Sequence, residues 1–318
     1  MNADERFIPL VRPGSGPASA GPPIFEHIGI VGLGLVGGSV ALAARQAWPS
    51  ALVIGVDRNE VVEQAVVLHA IDVAASDLTI VSEADLVVLA APVGENIRLL
   101  ARLPEYIDKP VVVTDVGSTK RAIVEAASAL PPNVVFVGGH PLGGSTGTGI
   151  QAARADLFAG RPWLFTPSGP GDAEPGAGVQ EALRRLSEFA RALGATPHTI
   201  DASRHDHLMA YISHVPQVVV SALMQVVGDA VGGEGLAFSG RGLRDTTRLA
   251  ASNLEMMTDI LLTNREHVLQ ALEEYIRRLE ALAQRVREGD EARLKVLLAE
   301  GRRARQELLE PSTPKGDT

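Results

Sequence analysis

The sequence predicts an α/β fold, a doubly wound parallel sheet, followed by an all-α segment. Short β-branched apolar runs alternate with helix-patterned stretches from Ile24 to Ile200. Most of these runs are apolar almost throughout rather than at every second residue, as strands are when helices cover both faces of a sheet. Beyond Asp201 apolar residues recur only at helical spacing, and no further β-run follows.

The predicted strands are IGIVG (28–32), ALVIGVD (51–57), TIVS (79–82), DLVVLAAP (85–92), PVVVTDVG (110–117), VVFVGG (134–139), WLFTP (163–167) and a last one around TPHTI (196–200). The helix VQEALRRLSEFARALG stops at Gly194, a residue suited to the left-handed turn after a helix. In the helical part, Ser252-Asn-Leu-Glu255 fits a capping box that opens a helix through MMTDILLTN. Two long amphipathic helices follow, HVLQALEEYIRRLEALAQRV and DEARLKVLLAEGRRARQELLE, whose apolar stripes need a cover. The organisation read from this is a lead-in without fixed structure at 1–23, an α/β domain at 24–200, a helical domain at 201–310 and a disordered tail at 311–318.

Composition narrows the function classes. A chain of 318 residues has room for about two domains. A net charge of -9 argues against nucleic acid or an anionic membrane surface as a partner, because both require a concentrated positive field. The absence of cysteine removes disulfides, thiolate zinc sites and a cysteine nucleophile, and is compatible with the cytoplasm. Residues 1–23 lack the apolar core of a secretion signal, and the expectation is that no apolar run crosses a bilayer without charges or repeated Gly interrupting it.

Gly32-x-Gly34-x-x-Gly37 lies directly between the first strand and a helix, and Asp57 ends the next strand. In that context the pattern is the dinucleotide fingerprint of a Rossmann domain. Gly32 permits the tight turn, Gly34 lets backbone approach a pyrophosphate, and Gly37 lets helix pack on strand. The amides of Leu35 and Val36 at the helix N-terminus face the anion. The Asp57 carboxylate suits ribose hydroxyls and repels a 2′-phosphate, so NAD is expected rather than NADP, although Arg58 beside it could meet a phosphate. Ala91, Pro92 and Val93, where the fourth run ends, are taken to line the cofactor. A Gly-rich turn without ligand is the bland alternative, and the strand-turn-helix-strand-Asp context weighs against it.

Ligands of open α/β sheets bind beyond the carboxyl ends of strands, so the loops after APV, TDVGSTK and GGHPLGG converge on one crevice, the third bringing His140. In the helical part, HDHLMAYISHVPQ and GRGLRDTTRLAAS place His, Asp, Ser and Arg among apolar residues. Arg244, Arg248 and Ser252 read as one i, i+4, i+8 helical stripe. His205 and His207, two apart on a helix, face away from each other, and no metal site is expected.

Five blocks in order, GLGLVGGS, DVGSTK, GGHPLGG, HDHLMAYISHVP and LRDTTRLAAS, resemble the prephenate/arogenate dehydrogenase family of tyrosine biosynthesis over about Ile28 to Val286. The resemblance implies NAD(P)-dependent oxidative decarboxylation of a cyclohexadienol to 4-hydroxyphenylpyruvate or tyrosine, by a Rossmann domain joined to a helical dimerisation domain, hence a homodimer. It assigns His140 as proton acceptor, a role that a neutral imidazole suits near pH 7. It places Ser118 on the same substrate hydroxyl, although Ser118 also stands where it would N-cap the helix TKRAIVEAA. It sets His214 against the substrate and Arg248 on a substrate carboxylate, with Arg244 either its neighbour or a solvated residue.

The chain departs from the family pattern at three places. It reads GGSTGTG, with Thr146, where relatives carry an acidic residue, Gln217 where they often carry a second histidine, and Met257 where they carry tryptophan. These leave substrate choice and feedback inhibition by tyrosine open. With no acidic partner evident for the arogenate ammonium, prephenate is favoured. A monofunctional enzyme is expected, without a regulatory or mutase segment. A 3-hydroxyacid dehydrogenase would place a lysine in the helical half, where His205–Val286 has none. A non-catalytic NADH-binding sensor would not need His140, Ser118, His214 and Arg248 together.

Overall fold

The computed structural model describes residues 21–143, 147–167 and 174–310. The expected lead-in and tail, and Thr146, lie wholly or almost wholly outside the described residues. The chain divides into two compact units, Met1–Arg265 and Glu266–Thr318.

The first unit opens with β1 (His27–Val31), α1 (Leu35–Ala47), β2 (Leu52–Val56), α2 (Asn59–Val67) and β3 (Val73–Ala75). It continues through β4 (Leu86–Leu89), α3 (Val93–Arg102), β5 (Val111–Asp115), α4 (Arg121–Ala127), β6 (Val134–Pro141), β7 (Pro162–Thr166), α5 (Ala177–Ala192) and β8 (Thr196–Thr199). The strands form one sheet in the order β3-β2-β1-β4-β5-β6-β7-β8. Strand order reverses between β1 and β4, the point at which a doubly wound sheet opens a crevice. One core lies on each face. Ile28, Ile30, Leu33, Val40 and Trp48 belong to the first, with Trp48 stacked on Phe189 at 5.5 Å. Val31, Val87, Leu89, Val113 and Ile123 belong to the second. This two-sided burial is the reason the strands read as unbroken apolar runs.

The sheet departs from the expected pattern in three respects. TIVS is no strand but part of a 3₁₀ turn at Leu78–Glu83, because the Asp77 side chain accepts the Thr79 amide at 2.9 Å and starts a turn there. The strand paired with β2 is the short Val73–Ala75, whose two alanines carry little β signal. Finally, β7 runs antiparallel to β6, so the sheet is mixed at that edge, and His140 sits within β6 opposite Leu164 rather than in a loop.

After β8 come α6 (Ala202–Met209), a single π turn (Ala210–His214), α7 (Val215–Ala237), α8 (Arg241–Thr246), a 3₁₀ turn (Arg248–Ala251) and α9 (Leu254–Thr263). Asp201 caps α6 by accepting the Arg204 amide. The expected Arg244-Arg248-Ser252 stripe is broken, because α8 ends before Arg248. The Leu249 carbonyl accepts Gln217 Nε2 at 2.7 Å and the Ser252 hydroxyl at 2.8 Å instead of continuing a helical ladder. Likewise α9 is capped by Asn253, which accepts the Met256 amide, and not by Ser252, whose hydroxyl is committed to Leu249 and Gln217.

Counted through the π turn, Ala202–Ala237 is a helix of 36 residues long and apolar enough to cross a membrane by length and composition. It carries interruptions of the kind anticipated, Gly228, Asp229 and a kink at Gly232, whose φ is +60. Its start is fastened to β6 by His205 and to the N-terminus of α4 by Asp206, whereas Leu223, Val226 and Val231 are exposed on this chain. The second unit continues α10 (Arg265–Glu288) and holds α11 (Glu291–Leu309), the two amphipathic helices anticipated.

Candidate active site

The carboxyl edge of the sheet presents the N-termini of α1, α3 and α4, and the three are treated differently. At α3, the Asp259 carboxylate of α9 accepts the amides of Val93 at 2.7 Å and Gly94 at 3.0 Å. At α4, the Asp206 carboxylate of α6 accepts the amides of Lys120 at 2.7 Å and Arg121 at 2.9 Å. Ser118 therefore does not cap α4, which begins three residues later. At α1 no side chain caps the helix and its first turn holds no acid. Its free amides and partial positive charge are left for an external anion.

The surrounding glycines fit a dinucleotide at that end. Gly32 has φ +96 and a Cβ there would stand 2.7 Å from the Ala90 backbone, so only glycine makes this turn. At Gly34 nothing lies within 4 Å of a Cβ position, which leaves open space beside the α1 amides. Asp57, at the end of β2, holds the same loop by accepting the Leu33 amide at 2.7 Å. Arg58 is exposed beside it. Of the residues expected to line the cofactor from the β4 edge, Ala91 and Val93 have their amides taken by Asn96 and Asp259. That segment therefore offers carbonyls and side chains rather than donors.

A chain of buried polar groups lies next to this edge. His140 Nδ1 is 2.9 Å from His205 Nε2, and His205 Nδ1 is 2.8 Å from Asp206 Oδ1. His140 is half-buried, and its Nε2 has no hydrogen-bond partner among the described residues. The position of His140 is set by Asp115 at the end of β5. One oxygen of Asp115 accepts the Gly139 amide at 3.0 Å, and the other accepts the Gly117 amide at 2.8 Å and pairs with the fully buried Lys120 ammonium. Asn264 ties in the helices, donating from Nδ2 to the Asp206 carbonyl at 2.7 Å and to His214 Nδ1 at 3.1 Å. Since an amide NH₂ only donates, His214 Nδ1 is the acceptor and the His214 proton sits on Nε2. The π turn ends on this histidine, and such turns often accompany functional sites.

Both histidines are held neutral. Burial lowers His140 well below its ordinary range, with the cationic forms of His205, Lys120 and His214 adding to the effect. Burial pushes His214 down to about 4 against the opposing pull of Asp206. The unfolded chain takes up these protons near pH 6.5 and the fold refuses them, so stability is full above that pH and falls below it, for His214 until pH reaches about 4. For His214 alone the loss is on the order of 3 kcal/mol. Urea unfolding at pH 7 and pH 4.5 is expected to show this loss, and His214→Gln to flatten the slope by up to one proton.

Of the residues expected from sequence, His140 and His214 join one cluster. Ser118 is half-buried two residues before Lys120, with no hydrogen bond among the described residues. Arg248 and Arg244 are exposed, carry no ion pair among the described residues, and are not bonded to the cluster. Arg248 does open the 3₁₀ turn that Gln217 of α7 pins three residues after His214. Sequence reasoning missed His205, Asp206, Asp115, Lys120 and Asn264. The signal for them was a His-Asp pair and a lysine at positions where the apolar pattern demanded burial.

The family profile described as "Prephenate dehydrogenase, nucleotide-binding domain" matches residues 40–190, and that described as "Prephenate dehydrogenase, dimerization domain" matches residues 201–300. The prephenate dehydrogenase of Bacillus subtilis is 34% identical over 275 residues, covering 83% of this chain and 71% of that protein. The cyclohexadienyl dehydrogenase of Zymomonas mobilis is 32% identical over 293 residues, covering 90% and 97%. The solved structure of prephenate dehydrogenase from A. aeolicus in complex with hydroxyphenyl propionate and NAD+ superposes with a TM-score of 0.81 at 28% identity, covering 89% of this chain and 98% of that one. By sequence profile, relatives and fold together, this chain belongs to the prephenate dehydrogenase family.

Proposed function

We propose that the protein oxidises prephenate with loss of carbon dioxide to 4-hydroxyphenylpyruvate, using NAD. The observation that carries this reading is a neutral, half-buried His140 whose Nε2 has no partner among the described residues, at the same carboxyl edge of the sheet as a helix N-terminus left open for a dinucleotide. The bound cofactor supplies the hydride acceptor. This chain's residues do the rest. His140 Nε2 takes the proton of the ring hydroxyl as the carbinol carbon gives up its hydride. The Ser118 hydroxyl, lacking a protein partner among the described residues, orients that hydroxyl. His214 offers its Nε2–H to a substrate oxygen. Arg248, exposed at the start of its turn, receives a substrate carboxylate through its planar fork. Loss of carbon dioxide from the ring carbon bearing the second carboxylate aromatises the ring, and no further acid is required.

Asp57 is the residue on which NAD preference rests, because a carboxylate there accepts ribose hydroxyls and repels a 2′-phosphate. Steady-state kcat/KM for prephenate and arogenate, each with NAD and NADP, tests substrate and cofactor together. The expected order puts prephenate with NAD first, and Asp57→Asn is expected to move the NADP/NAD ratio up by about 10- to 100-fold. No turnover of either cyclohexadienol would overturn the functional reading. Arogenate is the second reading, favoured by the cyclohexadienyl name of the Z. mobilis relative. Added tyrosine in the same assay tests feedback.

Arg248→Gln is expected to raise KM for the substrate by about 10- to 100-fold, the worth of a charge-assisted pair, with NAD binding unchanged. An unaltered KM would remove Arg248 from the substrate site. The exposed Leu223, Val226 and Val231 face of α7 suits a second copy of the chain, in keeping with the dimerization-domain profile. Cytoplasmic location is proposed on the lack of cysteine.

A further inference from the structure

We propose that His205 and Asp206 are positioning residues that fix His140 in the tautomer whose lone pair lies on Nε2, the nitrogen facing the reaction. The inference rests on the reading that His140 accepts the substrate proton, and the contacts lead to it stepwise.

Asp206 is buried, and its carboxylate accepts two backbone amides, Lys120 and Arg121, at 2.7 and 2.9 Å. An ionised carboxylate only accepts, so the third contact, His205 Nδ1 at 2.8 Å, is a donor. A neutral His205 with its proton on Nδ1 then has its lone pair on Nε2. That atom is 2.9 Å from His140 Nδ1, so His140 donates from Nδ1 and keeps its Nε2 as acceptor. Without this chain nothing among the described residues would hold His140 in that form, since His205 is its sole hydrogen-bond partner there. The opposite arrangement, a cationic His205 donating to His140 Nδ1, would put the His140 proton on Nε2 and block proton uptake from substrate. It would also place an imidazolium fully inside the protein.

The same chain serves the next moment of the reaction. When His140 becomes an imidazolium it retains its Nδ1–H bond to His205, and the Asp206 carboxylate behind His205 polarises that acceptor. Removing an orienting partner of this kind from a catalytic histidine costs up to about 10⁴ in kcat in a serine protease, where the wrong tautomer results.

The test uses the full-length protein with ¹⁵N-labelled histidine. Long-range ¹H–¹⁵N correlation at pH 7.5 is expected to show His140 protonated on Nδ1 and bare on Nε2, assigned by comparison with His140→Asn. His205→Asn keeps an amide donor toward Asp206 and removes the acceptor facing His140. It is expected to shift His140 away from the Nδ1–H form and lower kcat by about 10²-fold or more, with KM and NAD binding within about twofold. His205→Gln, whose amide oxygen reaches the position of Nε2, is expected to recover the tautomer and much of kcat. A wild-type protein with the His140 proton on Nε2 overturns the proposal, as does a His205→Asn variant with unchanged spectrum and kcat. Should the wild type fail to turn over prephenate or arogenate, the functional reading falls, while the spectrum still decides the tautomer.

Discussion

His140→Asn is expected to lower kcat by about 10²–10⁴ while NAD binding stays within about twofold, a range set by loss of general-base catalysis. Asparagine keeps the polarity of the position and can still hydrogen-bond His205, yet it has no nitrogen able to take a proton near neutral pH. The cofactor loop is distant in its bonding: Gly32, Gly34 and Asp57 share no hydrogen bond with His140. Stopped-flow NAD binding and steady-state turnover on the same preparation separate the two effects. Turnover equal to wild type would reassign the proton to another group, with His214 the nearest candidate. His214, however, is already held as a donor at Nε2 by Asn264 and has nowhere to put a second proton without becoming cationic in a buried site.

Lys120→Met is expected to destabilise the fold by about 3–5 kcal/mol, the cost of leaving one member of a buried ion pair without its partner. Lys120 and Asp115 are both inaccessible to solvent. Burial lowers the Lys120 ammonium from its ordinary range, while the Asp115 charge opposes that shift and keeps the pair together. Removal of the ammonium leaves Asp115 with two backbone donors, Gly117 and Gly139, which hold the loop of Ser118 and the strand of His140. Urea unfolding gives the stability difference. Adding Asp115→Asn to Lys120→Met removes the stranded charge and is expected to restore part of the loss, whereas a purely volumetric effect of methionine would not respond.

The βαβ unit around Gly32, Gly34, Gly37 and Asp57 was legible because its logic is local. A strand, a turn with φ +96 that tolerates only glycine, and a helix start follow one another within a few residues. His140 and His214 were legible as residues, but not their protonation roles, which depend on partners 65 and 50 positions away. Misreadings shared a cause. Ser118 at the start of α4 and Ser252 at the start of α9 looked like caps, since a Ser before a helical stretch is the usual local solution. In the fold, Asp206 from another helix takes the first role, and Asn253, one residue on, takes the second. His205 was set aside because spacing on its own helix gave it no companion, while its companion came from β6.

By itself, then, the sequence determined the strand-turn-helix start of α1, the Asp57 carboxylate beside it and the alternation that builds a two-faced sheet. These are short-range consequences of backbone sterics and apolar burial. Only the tertiary structure decided that Asp206 and Asp259 occupy the neighbouring helix N-termini, and that α1 alone of these three is left to an anion. Only it joined Asp206, His205 and His140 into one chain. Hydrogen-bond partners of buried polar groups are chosen by what the fold brings within 3 Å, and sequence spacing carries no record of that choice.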